Sequence, residues 1–94
     1  MQTFVMLGKY SSQALKTANA TRTRKAEGII ARSQGRIRAM YALLGGNDLI
    51  LIVELPSTEE AIKVSAGLTK LTGIGFSTSP AVSVQDFDKL IVEV

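Results

Sequence analysis

The sequence predicts an α+β fold in which two helices cover one face of a four-stranded antiparallel sheet. Strand-like and helix-like patterns follow one another in the order strand, helix, strand, strand, helix, strand. The first and third strand patterns are the most continuously apolar, as central strands of such a sheet would be. The 94 residues, of which 46% are apolar, suffice for one domain over residues 1–94 with a modest core.

The first strand is expected at residues 2–9, where an apolar run ends at Gly8. A helix is expected over residues 12–33, which lack proline and repeat apolar residues at three- and four-residue spacing. This helix has a weak point at residues 19–21, where we expect a kink or a restart with Thr21 as a second cap. Gly35 is expected to end the helix in a left-handed conformation.

Residues 36–44 alternate and predict the second strand, with Ile37, Ala39, Tyr41 and Leu43 on one face. The cluster Gly45, Gly46, Asn47 and Asp48 predicts a hairpin turn, because glycine and asparagine accept positive φ at little cost. Residues 48–55 are almost continuously apolar, which predicts a third strand covered on both faces.

Ser57 and Glu60 form a capping box at the start of the second helix, which is expected to end at Gly73. A fourth strand is expected from Ile74 to about Ser79, with Pro80 near a sheet edge. Residues 84–90 are consistent with a short helical turn capped by Ser83. Residues 90–94 again have strand character, and such a strand could cover a sheet edge or cross a subunit boundary. The whole order is the split βαβ, ferredoxin-like arrangement.

Two helices leave the other face of this sheet without cover. In the third strand Leu51 and Val53 point one way while Ile50 and Ile52 point the other, and the first strand repeats this pattern. An apolar patch of several hundred Å² would exceed what monomers usually expose. The sequence therefore predicts a homo-oligomer, at least a dimer, with the second face buried between subunits.

Composition excludes several kinds of chemistry. Cysteine and histidine are absent, which removes disulfides, thiol nucleophiles, Ser-His-Asp triads and the usual zinc sites. No cofactor or metal is expected. The net charge of +3 is a weak signal, and the few aromatic residues are not interleaved with basic ones, so nucleic acid is not an expected partner. No signal peptide or membrane span is visible, so a cytoplasmic location is expected.

The order of motifs resembles the GYD-domain family, over about residues 3–91. The resemblance is carried by Phe4–Tyr10, by the Arg24-Lys25 pair within residues 21–26, by Gly35 before Met40–Gly45, by Asp48 before Leu49 and Ile50, and by residues 73–88. Gly46-Asn47-Asp48 stands where Gly-Tyr-Asp is usual, so the glycine and the acid are kept and the aromatic residue is replaced. The resemblance implies a small bacterial protein of the ferredoxin-like, dimeric α/β-barrel type, in a family without an established biochemical function.

Four residues are candidates for binding a small anionic or polar ligand: Asp48, Tyr41, Arg22 and Arg24. Asp48 could hold a basic group or act as a base, or it could cap the turn through backbone N–H groups. Arg22 lies on the apolar helical stripe and could reach a buried acid such as Asp48, or its stem could cover the core edge.

The remaining basic residues and Tyr41 also have two interpretations. Arginines 22, 24, 36 and 38 with Lys9 could form an anion site, or they could belong to solvated faces. Tyr41 could place its hydroxyl in a cavity or serve as a core residue.

Two functions remain open: a homo-oligomeric module that binds a small ligand between sheet and helices, and a small cofactor-free enzyme built around Asp48 and Tyr41. The lack of a clear acid–base pair favours the module.

Overall fold

The computed structural model describes residues Met1–Val94 as four strands and four helices. In chain order these are β1 (Gln2–Lys9), α1 (Ser12–Lys16), α2 (Ala20–Arg32), β2 (Arg36–Ala42), β3 (Leu49–Leu55), α3 (Thr58–Thr72), β4 (Gly75–Ala81) and α4 (Val84–Val92). None of the helices is both long enough and apolar enough to cross a bilayer.

The strands form one antiparallel sheet in the order β2-β3-β1-β4. The two most apolar strands, β1 and β3, are central, as predicted. The register places Phe4 opposite Val53 and Met6 opposite Leu51. This confirms the ferredoxin-like arrangement.

The first helical region is divided, which confirms the predicted restart but not its cap. Asn19 is the N-cap of α2, and its side chain accepts from the Arg22 backbone N–H at 2.8 Å. Asparagine is a stronger cap than threonine, so the helix begins two residues earlier than Thr21 would require. The end of α2 also differs from the prediction, because Gln34, not Gly35, takes the left-handed conformation, with φ of 60°.

The core lies between the sheet and the pair α2 and α3. It consists of side chains from the inner face of β1 and β3 and from the facing sides of the two helices: Phe4, Met6, Ile30, Leu51, Val53, Leu55, Ala61, Val64 and Leu68. The predicted cap Ser57 accepts from the Glu60 N–H at 3.2 Å, and Gly73 ends α3 with φ of 75°. The predicted end at Gly73 and the Ser57 cap are thus confirmed, but the capping box is only half formed. The Glu60 side chain makes no bond back to Ser57: its Oε1 lies 3.5 Å from Lys63 Nζ, and its Oε2 has no hydrogen-bond partner.

A β-bulge in β2 changes which side chains share a face. Ile37 pairs with Val53, but Ala39 pairs with Ile52, so the pairing shifts by one residue between them. Ile37 packs against the core, whereas Ala39 lies on the outer face of the sheet, the face opposite the helices. The prediction of one shared face for Ile37 and Ala39 is therefore wrong, since a bulge adds one residue to the alternation.

The C-terminal residues are helical, and the expectation of strand character at residues 90–94 is wrong. Ser83 caps α4 by accepting from the Asp86 N–H at 3.1 Å, and the helix continues to Val92. The helical repeat that begins at Val84 continues through Leu90 and Ile91, so these residues extend the capped helix and do not start a new strand.

Candidate functional site

A cavity of about 70 Å³ lies between the sheet and the helices, at the end of β1. Its apolar lining comes mainly from the strands, with contributions from α2 and α3, and includes Met40, Leu49 and Phe76. Tyr10 and Arg22 are its ionisable lining residues. A space of this size accepts several water molecules or a small organic molecule.

Arg22 brings a positive charge to the edge of this cavity. Its Nη1 donates to the Ala14 carbonyl oxygen at 2.6 Å and to Thr17 Oγ1 at 3.0 Å. The salt bridges of the chain involve Arg36, Arg38 and Lys63, and no carboxylate lies within 4.0 Å of the Arg22 guanidinium. Arg22 as a whole is half-buried, its guanidinium is held in place by neutral acceptors, and no acid compensates its charge.

Asp48 joins the hairpin loop to the end of β1. Its Oδ2 accepts from the Tyr10 backbone N–H at 2.9 Å, and its own N–H donates to the Gly8 carbonyl at 2.9 Å. Its carbonyl accepts from the Leu43 N–H at 2.8 Å, which closes the hairpin. These bonds position Tyr10 at the cavity, since they fix the backbone on both sides of Lys9.

The structure separates the four predicted ligand residues. Arg22 lines the cavity, and Asp48 contacts the backbone of the lining residue Tyr10. Tyr41 lies on the outer face of the sheet, paired with Ile50, and is 63% exposed. Arg24 is exposed and donates to Thr21 Oγ1 at 3.2 Å. The binding roles of these four residues stay predictions.

Sequence reasoning did not identify Tyr10 and Met40 as lining residues. Met40 lies on the inner face because of the bulge, which the alternation of apolar residues in β2 does not reveal. Tyr10 follows β1 directly, and its proximity to the hairpin acid could have been inferred from the pairing of β1 with β3.

The outer face of the sheet carries an apolar patch, which we define as Val5, Leu7, Ile50, Ile52 and Ala39. Val5 pairs with Ile52 and Leu7 with Ile50, so the four larger side chains are direct neighbours across the two central strands. All five are only half-buried, because no helix covers them. The patch is therefore contiguous and lies at the centre of the sheet.

An ionic cluster borders this patch on the same face. Glu54 Oε1 accepts from Arg36 Nε at 2.8 Å, and Glu54 Oε2 accepts from Arg38 Nη1 at 2.9 Å. The hydrogen bond from Arg36 has the largest effect on the pKa of the Glu54 carboxyl, which it lowers. Burial raises this pKa and the hydrogen bond from Arg38 lowers it further, so the pKa lies below its ordinary value of 4.5. The Glu54 side chain is 15% exposed, so this carboxylate is well shielded by its partners.

We expect the stability of the protein to fall in acid partly because of Glu54. Since the pKa of Glu54 is lowered in the folded state, its contribution is present above 4.5 and is lost as the pH falls through the lowered value. Thermal unfolding from about pH 6 to about pH 3 should show a shallower pH dependence for Glu54→Gln than for the wild type. Glu59→Gln, which removes an exposed carboxyl without an ion pair, is the control. Equal pH dependence in all three proteins would contradict the assignment.

Comparisons with known proteins agree with this fold. The family model described as GYD domain matches residues 4–91. Among solved structures, the chain is similar to the leucine response regulatory protein (LrpA) of Mycobacterium tuberculosis, with a TM-score of 0.58 and 6% sequence identity. The match covers 87% of this chain and 51% of that chain, so this chain spans about half the length of that regulator. No curated protein matches the sequence.

Proposed function

The chain belongs to the GYD domain family, and from this premise we propose that it is a homo-oligomeric binding module. In this proposal two copies pack their outer sheet faces together, and the cavity between sheet and helices takes a small anionic ligand. Residues 1–94 act as one domain, and no cofactor is required.

The apolar patch on the outer face supports the pairing of two copies. Its side chains are aliphatic and adjacent, and they occupy the centre of a regular antiparallel sheet. Burial of several hundred Å² of such surface at about 25 cal/mol per Å² stabilises an assembly by several kcal/mol before association costs. A second copy offers the same flat apolar surface, which a two-fold interface requires.

The proposed class of ligand rests on one observation: the guanidinium of Arg22 has no carboxylate partner. A half-buried arginine without a carboxylate partner suits an incoming carboxylate or phosphate, which it can contact through paired N–H donors. The remaining lining is mostly apolar, as in many small-molecule sites. The similar regulator from M. tuberculosis is named for its response to leucine, and an amino acid is a small molecule that carries a carboxylate.

A cofactor-free enzyme is the alternative class, and the cavity favours it less. General acid–base catalysis needs a titratable group within reach of the substrate, usually a carboxylate or a histidine. The lining contains no carboxylate or histidine, so its one phenol, Tyr10, has no such group beside it to complete an acid–base pair. Oδ2 of Asp48 already accepts from the backbone N–H of Tyr10. The lining is therefore better suited to binding an anion than to moving protons.

We expect Arg22→Met to weaken binding of a small carboxylate by more than about tenfold, because a charge-assisted hydrogen bond contributes about 1.5–3 kcal/mol. Titration with sodium acetate, followed by amide chemical shifts near Tyr10 and Thr23, measures this binding. Acetamide tests the role of the ligand's charge. Arg24→Met is the matched control, since it removes the same side chain outside this cavity. Unchanged acetate affinity in Arg22→Met would contradict the proposal.

A further inference from the structure

The C-terminal helix α4 has an apolar stripe without a partner. Val84, Phe87, Leu90 and Ile91 share one side of the helix, and each is between 49% and 71% exposed. No residue of α4 is buried, so the helix is at most loosely attached to the rest of its own chain. A helix this amphipathic is usually stabilised by packing, so its stripe indicates a contact that a single chain does not supply.

The same chain also has an apolar groove without an occupant. The groove lies between α3 and the edge strand β4, has a volume of about 550 Å³ and is lined mainly by apolar atoms. Ala61, Ile62 and Ala66 form its helical wall, and Phe76 and Pro80 form its strand wall. Ala61, Ser65 and Ala66 on the helical side are small, so the groove leaves room for large side chains from outside.

The exposed area of the chain is large enough for a stable contact between two copies. A compact protein of 10.1 kDa exposes about 5,300 Å², whereas this chain exposes 6318 Å². The excess of about 1,000 Å² exceeds the roughly 800 Å² per partner of a standard interface. The Cα radius of gyration of 14.2 Å also exceeds the about 12 Å expected for 94 residues.

We propose that α4 is an exchanged arm, which packs its apolar stripe into the α3–β4 groove of a second copy of this chain. The inference rests on the proposed function in one respect only, namely that the partner is another copy.

The structure holds α4 outside the groove of its own chain. None of the residues that line the groove belongs to α4. Val82 and Ser83 separate β4 from α4, and Ser83 caps the helix in an extended conformation. The groove of one chain can therefore receive the α4 of a second copy.

The charge of α4 argues against a membrane as the occupant of its stripe. Asp86 and Asp88 stand against the single base Lys89, so the helix is acidic overall. Helices that bind anionic lipid surfaces carry basic polar faces instead. A protein surface such as the apolar, uncharged groove is the better match.

The groove and the apolar patch lie on opposite sides of the sheet. Phe4 and Phe76 line the groove from the inner face, whereas Val5 and Ile52 belong to the outer face. The two contacts are consequently independent, and one can fail without the other.

Cysteine cross-linking tests the exchange directly, because the chain contains no native cysteine. Two full-length chains of different mass, one with Ala66→Cys and one with Ile91→Cys, are mixed, allowed to exchange subunits and treated with a short bis-maleimide. Proximity should give a covalent heterodimer in about tenfold higher yield than random collision. Lys89→Cys, on the opposite side of α4, replaces Ile91→Cys in the control and should cross-link weakly. Val84→Cys provides a second position on the stripe.

The outcomes separate this inference from the proposed function. A heterodimer from the stripe positions and little from Lys89→Cys supports the exchange. Intramolecular cross-linking in the doubly substituted chain Ala66→Cys/Ile91→Cys would overturn it, because α4 would then occupy its own groove. Equal yields from the stripe and from Lys89→Cys would also overturn it. If the wild type nevertheless sediments as a dimer, the sheet-face pairing stands and only the arm exchange is lost.

Discussion

Replacing Ile52 with aspartate is expected to dissociate the assembly into monomers or to leave the chain insoluble. Ile52 lies in the middle of β3, on the outer face, between Val5 on one neighbouring strand and Ala39 on the other. A carboxylate at this point would be buried without a partner if two outer faces packed together.

The expected loss is large because the charge falls at the centre of the apolar patch. An uncompensated buried charge costs about 3 kcal/mol or more, which corresponds to more than a hundredfold weaker association. Light scattering after size exclusion measures the mass of the variant. Gln85→Asp adds the same charge at an exposed position of α4 and should keep the wild-type mass. An Ile52→Asp variant with unchanged mass and solubility would show that this face is not the interface.

Gly35→Ala is expected to destabilise the fold by about 2–3 kcal/mol, a shift of roughly 10 °C or more in Tm for a chain of this size. A Cβ at this position would clash with the Leu55 side chain and lie 2.8 Å from the Glu54 carbonyl oxygen. Backbone cannot move aside as a flexible side chain can, so the connection between α2 and β2 would have to shift. That connection holds α2, and with it Arg22, against the sheet.

Gly28→Ala is the matched comparison for this substitution. Gly28 lies inside α2, and nothing stands within 4 Å of a Cβ built there. Alanine should raise helix stability by up to about 1 kcal/mol at such a site. Thermal or urea unfolding should thus move in opposite directions for the two variants. A neutral Gly35→Ala would mean that the close approach of the α2–β2 connection to β3 does not constrain the fold.

The sheet and its central strands could be predicted because the apolar patterning and the order of elements along the chain are visible in the sequence itself. Leu51 and Val53 alternate with Ile50 and Ile52, and this alternation alone places one set inside and the other outside. The GYD domain membership was likewise predicted from short motifs and is confirmed over residues 4–91.

The candidate site could be predicted only in part, because it depends on register. One extra residue in β2 reverses the faces of Met40 and Tyr41 relative to Ile37, and no residue type marks the bulge. Met40 consequently lines the cavity while Tyr41 faces outward. Arg22 was identified because a charged residue on an apolar helical stripe is visible in the sequence itself.

The C-terminal segment shows a competition between two local signals. Ile91, Val92 and Val94 are β-branched and apolar, which favours a strand, but the cap at Ser83 begins a helix that continues through Leu90 and Ile91 to Val92. A capped helix already nucleated extends at little cost, so the cap outweighs the strand propensity of the last residues.

Sedimentation equilibrium of the wild-type chain at micromolar concentration tests the central claim most directly. If the outer sheet faces pair, the measured mass is at least twice the 10.1 kDa of one chain. A mass of 10.1 kDa across the whole micromolar range would contradict the account, because Val5, Leu7, Ile50 and Ile52 would then remain exposed to water in a stable monomer.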